Sequence, residues 1–165
     1  MPSPSVIVIN TSPLLALTAA LGDLSCLRQL YQDILVPYEV AQEIIQGGSN
    51  NFGVPEFQAA EWLSKLSKPL QISPFLINSL DLGEASVIQL ALDRSIGTVC
   101  IDETVGRRVA RLNGLKLTGS VGILLRVKRL DPTLSVKNAI SNMLQRNIRL
   151  SQTVIDFALT QAGES

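Results

Sequence analysis

The stretch V-I-V-I-N-T-S-P, residues 6–13, decides the fold of this chain. Four consecutive β-branched apolar residues without polar alternation are typical of a strand that is covered on both faces, as in a parallel sheet. Asn10 ends this run, Ser12 offers a helix N-cap, and Pro13 fits the first turn of a helix. Open α/β sheets place their active sites where a strand passes into a helix through a polar tip. We therefore expect the functional groups to converge on the carboxyl end of this strand.

Short apolar runs and stretches of helical periodicity alternate along the rest of the chain. Further strands are predicted at 34–37, 70–73, 98–101 and 115–118. Helices are predicted at 38–46, 57–66, 81–94, 104–112 and 120–130, followed by two last helices at 135–145 and 151–161. This alternation predicts a parallel sheet with helices on both faces. We expect one α/β domain over residues 1–165, with a core of about 5–130 and C-terminal helices at about 135–161.

Composition favours a globular protein outside the membrane. The 165 residues are 46% hydrophobic and 17% charged, and the apolar stretches are too short to span a bilayer. Residues 1–4 lack the basic region of a signal peptide. Cys26 and Cys100 lie in apolar surroundings, which favours buried thiols over a disulfide or a metal pair. A cytoplasmic location is therefore expected.

Charge is distributed unevenly along the chain. Residues 1–93 contain three basic and nine acidic residues, whereas residues 94–165 contain eleven basic and five acidic residues. This asymmetry indicates either an anionic partner for the second half or an ordinary solvated mixture of charges. The chain contains no histidine, which excludes Ser-His-Asp and Cys-His catalysis and metal binding through imidazole.

Four polar residues occupy positions where a parallel sheet collects functional groups. Asn10 and Asp102 each follow a predicted strand, Glu43 lies in the helix after the second strand, and Glu84 lies in the first turn of the helix before the fourth strand. Three carboxylates and one amide oxygen are the hard ligands that Mg²⁺ and Mn²⁺ prefer. Such a site polarises a phosphoryl oxygen and lowers the pKa of a bound water, which suits phosphodiester hydrolysis.

Each of these residues also has a structural interpretation. Asp81 and Glu84 have the spacing of a capping box. Glu43 fits a solvated helix face, Asn10 fits a turn, and Asp102 fits the N-cap of the next helix. The combination of the four, more than any single residue, points to a metal site.

The order of four motifs resembles the PIN-domain family. The motifs are V-I-V-I-N-T-S-P-L-L-A-L at 6–17, V-P-Y-E-V-A-Q-E-I at 36–44, D-L-G-E-A-S-V-I-Q-L-A-L at 81–92, and V-C-I-D-E-T-V-G-R-R-V-A-R-L-N-G-L-K-L-T-G-S-V-G-I-L-L at 99–125. Within the family the chain is similar to a prokaryotic branch of predicted nucleic-acid-binding proteins. The resemblance covers roughly residues 5–130, and the helices after 135 match only in general character.

The resemblance implies a three-layer α/β/α sandwich around a parallel sheet of order 3-2-1-4-5. It also implies a Mg²⁺- or Mn²⁺-dependent ribonuclease whose four catalytic and metal-binding residues are Asn10, Glu43, Glu84 and Asp102. The supporting residues would be Ser12, Asp81, Glu103 and Arg107. Asn10 stands where many PIN domains have an aspartate, and an amide oxygen coordinates Mg²⁺ without contributing charge.

Two functions from different classes follow. The first is a metal-dependent endoribonuclease that acts as a toxin-like component of a toxin–antitoxin pair, as a homodimer held inactive by a small antitoxin protein. RNA would then be bound by the arginines of the second half, namely Arg107, Arg108 and Arg111 at helical spacing, for which an ordinary solvated helix face is the alternative. The second is an inactive PIN scaffold that binds RNA or protein. A phosphatase is disfavoured because no second aspartate follows two residues after Asp102.

Overall fold

A computed structural model describes residues 5–47 and 50–165. Its sheet contains five strands: β1 (Val6–Ile9), β2 (Asp33–Val36), β3 (Ser64–Lys65), β4 (Thr98–Cys100) and β5 (Lys116–Thr118). All pairings are parallel and the order is β3-β2-β1-β4-β5. The predicted α/β/α fold and strand order are therefore confirmed. Residues 1–4, on which the expectation about a signal peptide depends, lie outside the described residues.

Ten helices connect and cover these strands in the part of the chain that the structure describes. They are α1 (Thr11–Leu21), α2 (Cys26–Leu30), α3 (Tyr38–Gln46), α4 (Val54–Ala59), α5 (Pro74–Ser79), α6 (Leu82–Asp93), α7 (Thr104–Leu112), α8 (Ser120–Leu130), α9 (Val136–Gln145) and α10 (Gln152–Ala162). The last two helices are capped by the side chains of Ser135 and Ser151, as their serines predict.

The central strand β1 is covered on both faces. Ile7, Val8 and Ile9 are fully buried. Helix α6 packs against β1 and β4, and α1 packs against α8 and α9. A continuous apolar strand in this environment is what the unbroken run of β-branched residues predicts.

The predicted third strand at 70–73 is wrong, and so is a helix over the whole of 57–66. Helix α4 ends at Ala59, and the edge strand is the two-residue segment Ser64–Lys65, which pairs with β2. So short a strand carries no apolar run for a sequence pattern to detect.

Backbone amides in residues 70–73 form hydrogen bonds with side chains instead of pairing with a strand. The Leu70 amide donates to Glu39 Oε2 over 2.8 Å, and the Ser73 amide donates to Gln89 Oε1 over 2.9 Å. Ser73 then caps α5, a short helix that the sequence analysis did not predict. Long-range side-chain contacts therefore replace the sheet pairing that the apolar alternation indicates.

The start of α1 lies two residues earlier than its N-cap signal predicts. Asn10, not Ser12, occupies the N-cap position, and its side chain makes no capping hydrogen bond. Ser12 lies inside the first turn, where its hydroxyl donates to Glu103 Oε1 over 3.4 Å. Pro13 lies in the first turn, as predicted.

Two other expectations can be compared directly with the structure. Cys26 and Cys100 are free thiols and both are buried, as predicted. Burial raises the pKa of Cys26 to about 12. No helix within residues 5–47 and 50–165 has the length and apolar character needed to cross a membrane.

Candidate metal centre

The carboxyl ends of β1 and β4 lie side by side and define the edge at which the acidic residues gather. Asn10 directly follows β1, and its backbone N–H donates to the Cys100 carbonyl at the end of β4 over 3.0 Å. Asp102 and Glu103 follow β4 and lead into α7. This parallel arrangement brings residues from distant parts of the sequence to one edge.

Three carboxylates form the centre of the cluster. One oxygen from each of Asp81, Glu84 and Glu103 lies within 4.8 Å of the other two. Asp81 is the N-cap of α6 and accepts the Glu84 amide over 2.8 Å, so the capping interpretation of Asp81 is correct. Capping and membership of the cluster are compatible, because the cap fixes Asp81 beside the Glu84 side chain in the first turn of α6.

Asn10 and Glu43 meet Asp81 around Gly83. A Cβ atom built on Gly83 would lie 2.9 Å from Glu43 Oε2, 3.1 Å from Asn10 Oδ1 and 3.6 Å from Asp81 Oδ1. The space that a side chain would fill is thus surrounded by three oxygen atoms. Glycine at this position of α6 allows the three side chains to approach one another.

A second glycine makes room for Glu84 itself. A Cβ atom on Gly106, in the first turn of α7, would overlap with Glu84 Oε2 and would lie 3.0 Å from Ile101 Cγ2. Helix α7 can therefore approach the Glu84 carboxylate only because position 106 has no side chain.

Burial and repulsion by neighbouring acids disfavour ionisation of two carboxyl groups at this edge, those of Glu84 and Glu43. Glu84 is 4% exposed, and its Oε2 has no hydrogen-bond partner among the described residues. Burial first, and then the neighbouring Asp81 and Glu103, raise the pKa of Glu84 to about 8. Burial and Asp81 also raise the pKa of Glu43. The cluster is therefore built so that a positive charge would stabilise its ionised form.

Asp102 lies at the same edge but faces a different group of atoms. Its Oδ1 accepts the Ser120 amide over 2.8 Å, and its Oδ2 accepts the Ser120 hydroxyl over 2.9 Å. Burial raises the pKa of Asp102, while the bonds from Ser120 and the nearby Arg107 oppose that shift. Its carboxylate thus ties the end of β4 to the first residue of α8.

The three arginines of α7 have different environments. The Arg107 guanidinium points inward and donates to the Ile101 carbonyl over 2.6 Å and to the Thr118 carbonyl over 3.2 Å. These bonds join the ends of β4 and β5. Arg108 and Arg111 are exposed on the helix surface. The structure therefore leaves Arg108 and Arg111 open to solvent and engages Arg107 with the backbone.

The comparison with protein families gives one result. A family model described as DUF3368, a PIN domain, matches residues 6–164. The chain belongs to the PIN-domain family. The match extends through α9 and α10, which the sequence resemblance covered only in general character. No curated protein and no solved structure gave a significant match.

The donor set of this PIN domain fits a divalent metal. PIN domains are a nuclease fold that generally uses divalent metals. Buried polar atoms normally have partners, yet Asn10 Oδ1 and Glu84 Oε2 have none among the described residues. Both atoms are hard oxygen donors, and carboxylates surround them. The residues present are therefore suited to Mg²⁺ or Mn²⁺.

Three further residues shape this PIN-domain site and were not predicted from the sequence. Gly83 and Gly106 make space for the acids, and Ser120 binds Asp102. A glycine inside the first turn of a helix is a detectable signal, because it is a poor helix former and often marks a close approach. The role of Ser120 had no local signal, since its partner lies 18 residues earlier in the sequence.

Proposed function

We propose that this PIN domain is a metal-dependent endoribonuclease that hydrolyses phosphodiester bonds at the acidic edge of its sheet. The observation that carries the proposal is the buried Glu84 oxygen, which lacks a partner and lies beside the carboxylates of Asp81 and Glu103. Burying an unpaired carboxylate is costly, and a bound cation offsets that cost.

Several side chains of the site would bind the cation together. Asp81, Glu84 and Glu103 would bind it, and Asn10 and Glu43 would complete the polar shell beside Gly83. Mg²⁺ or Mn²⁺ supplies the charge that polarises a phosphoryl oxygen and acidifies a water molecule. Glu84 holds a proton near neutral pH without a cation, and releases it when positive charge is placed beside it.

Asp102 and Arg107 act in this proposal as positioning residues. Asp102 binds Ser120 at the start of α8, and Arg107 bridges the carbonyls at the ends of β4 and β5. Both fix the segment that carries Glu103, the next residue after Asp102. Asp102 was a metal ligand in the sequence hypothesis, and it contributes here through the backbone that it holds.

The biological setting that we propose is that of a toxin-like ribonuclease in the cytoplasm. The support is the motif resemblance, together with exposed apolar side chains that a homodimer or a small antitoxin protein would cover. Val105 and Leu112 lie seven residues apart on α7 and are 53% and 75% exposed. Light scattering after gel filtration tests the homodimer, and co-purification with the product of an adjacent gene tests the antitoxin.

Cleavage of a labelled RNA in Mg²⁺, in Mn²⁺ and in chelator tests the catalytic proposal. The wild type should cleave only when the cation is present. Glu84→Gln should not cleave, and Glu61→Gln, which removes an exposed acid after α4, should behave like the wild type. Cleavage that survives in Glu84→Gln would contradict the proposed site.

One observation favours the alternative of an inactive binding module. Asn10 replaces a charged ligand by an amide, which reduces the charge that holds the cation. RNA binding by the wild type without cleavage in either cation would support this alternative over the nuclease.

A further inference from the structure

A large groove opens from the acidic cluster and runs between the core and the C-terminal helices. Its volume is about 1030 Å³. Glu103 of the cluster and the neighbouring Asp102 line one side of it, and Arg149, Val154 and Phe157 line the far side. This volume is at the upper end of the roughly 300–1,000 Å³ that small-molecule pockets occupy, so it suits a segment of a polymer.

A second, smaller cavity adjoins this groove at Leu15. Its volume is about 220 Å³, and Thr11, Glu43 and Phe52 contribute to its lining. Leu15 lines both cavities. Glu103 lines the large groove and Glu43 lines the smaller cavity, so acidic residues of the site contribute to both. This continuity favours an extended ligand over a single compact one.

The far wall of the large groove combines positive charge with an exposed aromatic ring. Apart from Asp102 and Glu103 at the cluster, the described residues that line the groove include no acid. Arg149 is exposed in the segment between α9 and α10, and Phe157 on α10 is 56% exposed. Arginine contacts phosphates, and an exposed aromatic ring offers a stacking surface for an unpaired base.

We propose that this groove, from the acidic cluster to α10, binds the single-stranded RNA next to the cleaved phosphodiester. Arg149 contacts its backbone and Phe157 stacks on a base. The assignment rests on the proposed ribonuclease function. It adds Arg149 and Phe157 to the arginines of α7 as RNA contacts. Of those arginines, Arg107 is engaged with backbone carbonyls, whereas Arg108 and Arg111 are exposed.

Binding of a short fluorescent single-stranded RNA, measured by anisotropy in chelator over a range of salt concentrations, tests the groove apart from catalysis. Arg149→Ala should weaken binding and reduce the slope of log affinity against log salt by about one, as expected for one lost phosphate contact. Phe157→Ala should weaken binding about 5- to 100-fold and leave that slope unchanged, since stacking releases no counterion.

Two exposed residues outside both cavities provide matched controls. Arg94→Ala and Phe75→Ala remove an exposed arginine and an exposed phenylalanine, and both should bind RNA like the wild type. Thermal unfolding of all four variants checks that the fold is intact. A duplex of the same sequence should bind more weakly than the single strand, because its bases cannot stack on Phe157.

The groove proposal is overturned if Arg149→Ala and Phe157→Ala bind with wild-type affinity, or if the wild type binds no RNA. A protein-binding groove would be the remaining interpretation in either case. A different result would contradict the catalytic proposal alone. If the wild type binds RNA through Arg149 and Phe157 but does not cleave it in Mg²⁺ or Mn²⁺, the groove assignment stands and the catalytic proposal fails.

Discussion

Two groups of polar side chains lie at the same edge of the sheet and differ in how their atoms are satisfied. In the acidic cluster, Glu84 Oε2 and Asn10 Oδ1 are buried without hydrogen-bond partners among the described residues. At the same edge of the sheet, both carboxylate oxygens of Asp102 accept hydrogen bonds from Ser120. Glu84 is buried and Asp102 is half-buried, and burial raises the pKa of both carboxyl groups.

In our proposal, this difference distinguishes Asp102, which positions its neighbours, from the acidic cluster, which binds a cation. A satisfied network such as Asp102–Ser120 holds elements together, and removing a partner from it is costly. A buried carboxylate without a partner destabilises the protein unless something binds it. The fold tolerates that cost in the cluster, and this tolerance is the physical argument for a cation site there.

The sharpest test of the comparison is the free energy of unfolding of Ser120→Ala and Glu84→Gln. Ser120→Ala removes the hydroxyl hydrogen bond to the half-buried Asp102 carboxylate and should lower the free energy of unfolding by about 1.5–3 kcal/mol. Glu84→Gln removes an unpaired buried acid and should leave that free energy unchanged or raise it in chelator. Denaturant unfolding measures both.

The control for these two variants is Ser141→Ala, which removes an exposed serine hydroxyl from α9 and should have a negligible effect. If Glu84→Gln were as destabilised as Ser120→Ala, the Glu84 carboxylate would be a structural group, and the contrast between the two regions would disappear.

Gly83→Ala should weaken binding of Mg²⁺ or Mn²⁺ about 10- to 100-fold, the size of effect that follows from misplacing ligands. The new methyl group would lie 2.9 Å from Glu43 Oε2 and 3.1 Å from Asn10 Oδ1 and would push both away. Titration calorimetry measures the affinity.

The matched glycine variant is Gly97→Ala, where a Cβ atom meets nothing within 4 Å. Equal metal affinities in Gly83→Ala and Gly97→Ala would show that the space at position 83 does not belong to the metal site.

Asn10→Asp should tighten binding of the cation about tenfold, because it adds one negative charge at a buried donor. The same variant should be less stable in chelator, since the charge joins an unneutralised acidic cluster. Calorimetry with Mg²⁺ and thermal unfolding in chelator measure the two effects. Weaker metal binding would mean that the neutral amide is itself the better ligand.

The last prediction concerns the pH dependence of stability in chelator. The pKa of Glu84 is raised from 4.5 to about 8 in the folded protein, so between these pH values the folded protein binds more protons than the unfolded chain. Stability should therefore fall as pH rises through that window. Glu43 and Asp102 shift in the same direction, so Glu84→Gln should reduce the dependence without abolishing it. If the stability of Glu84→Gln depended on pH in the same way as that of the wild type, the raised pKa would belong to a group other than Glu84.

The elements that sequence predicts well are those with local causes. The strand β1 follows from its run of β-branched residues, and the starts of α9 and α10 follow from their serine caps, all of which are local features of the sequence. The strand order and the family were accessible through the motif resemblance, because those motifs cover the strands and the first turns of the helices around the site.

The parts that sequence did not predict depend on distant partners. Strand β3 is defined by pairing with β2, and residues 70–73 are held by the side chains of Glu39 and Gln89. The direction of the Asp102 carboxylate depends on Ser120. Glu103 looked like a supporting acid beside Asp102, yet its oxygen is the one that lies with those of Asp81 and Glu84. Periodicity carries no information about such contacts.

The most direct test of the account is calorimetric titration of Mn²⁺ and Mg²⁺ into the wild type and into Glu84→Gln under identical conditions. The account predicts saturable binding to the wild type and an affinity for Glu84→Gln that is lower by more than about 100-fold, beyond the usual effect of outer-shell residues. Absence of binding to the wild type, or equal binding to both proteins, would contradict the claim that the acidic cluster is a metal centre.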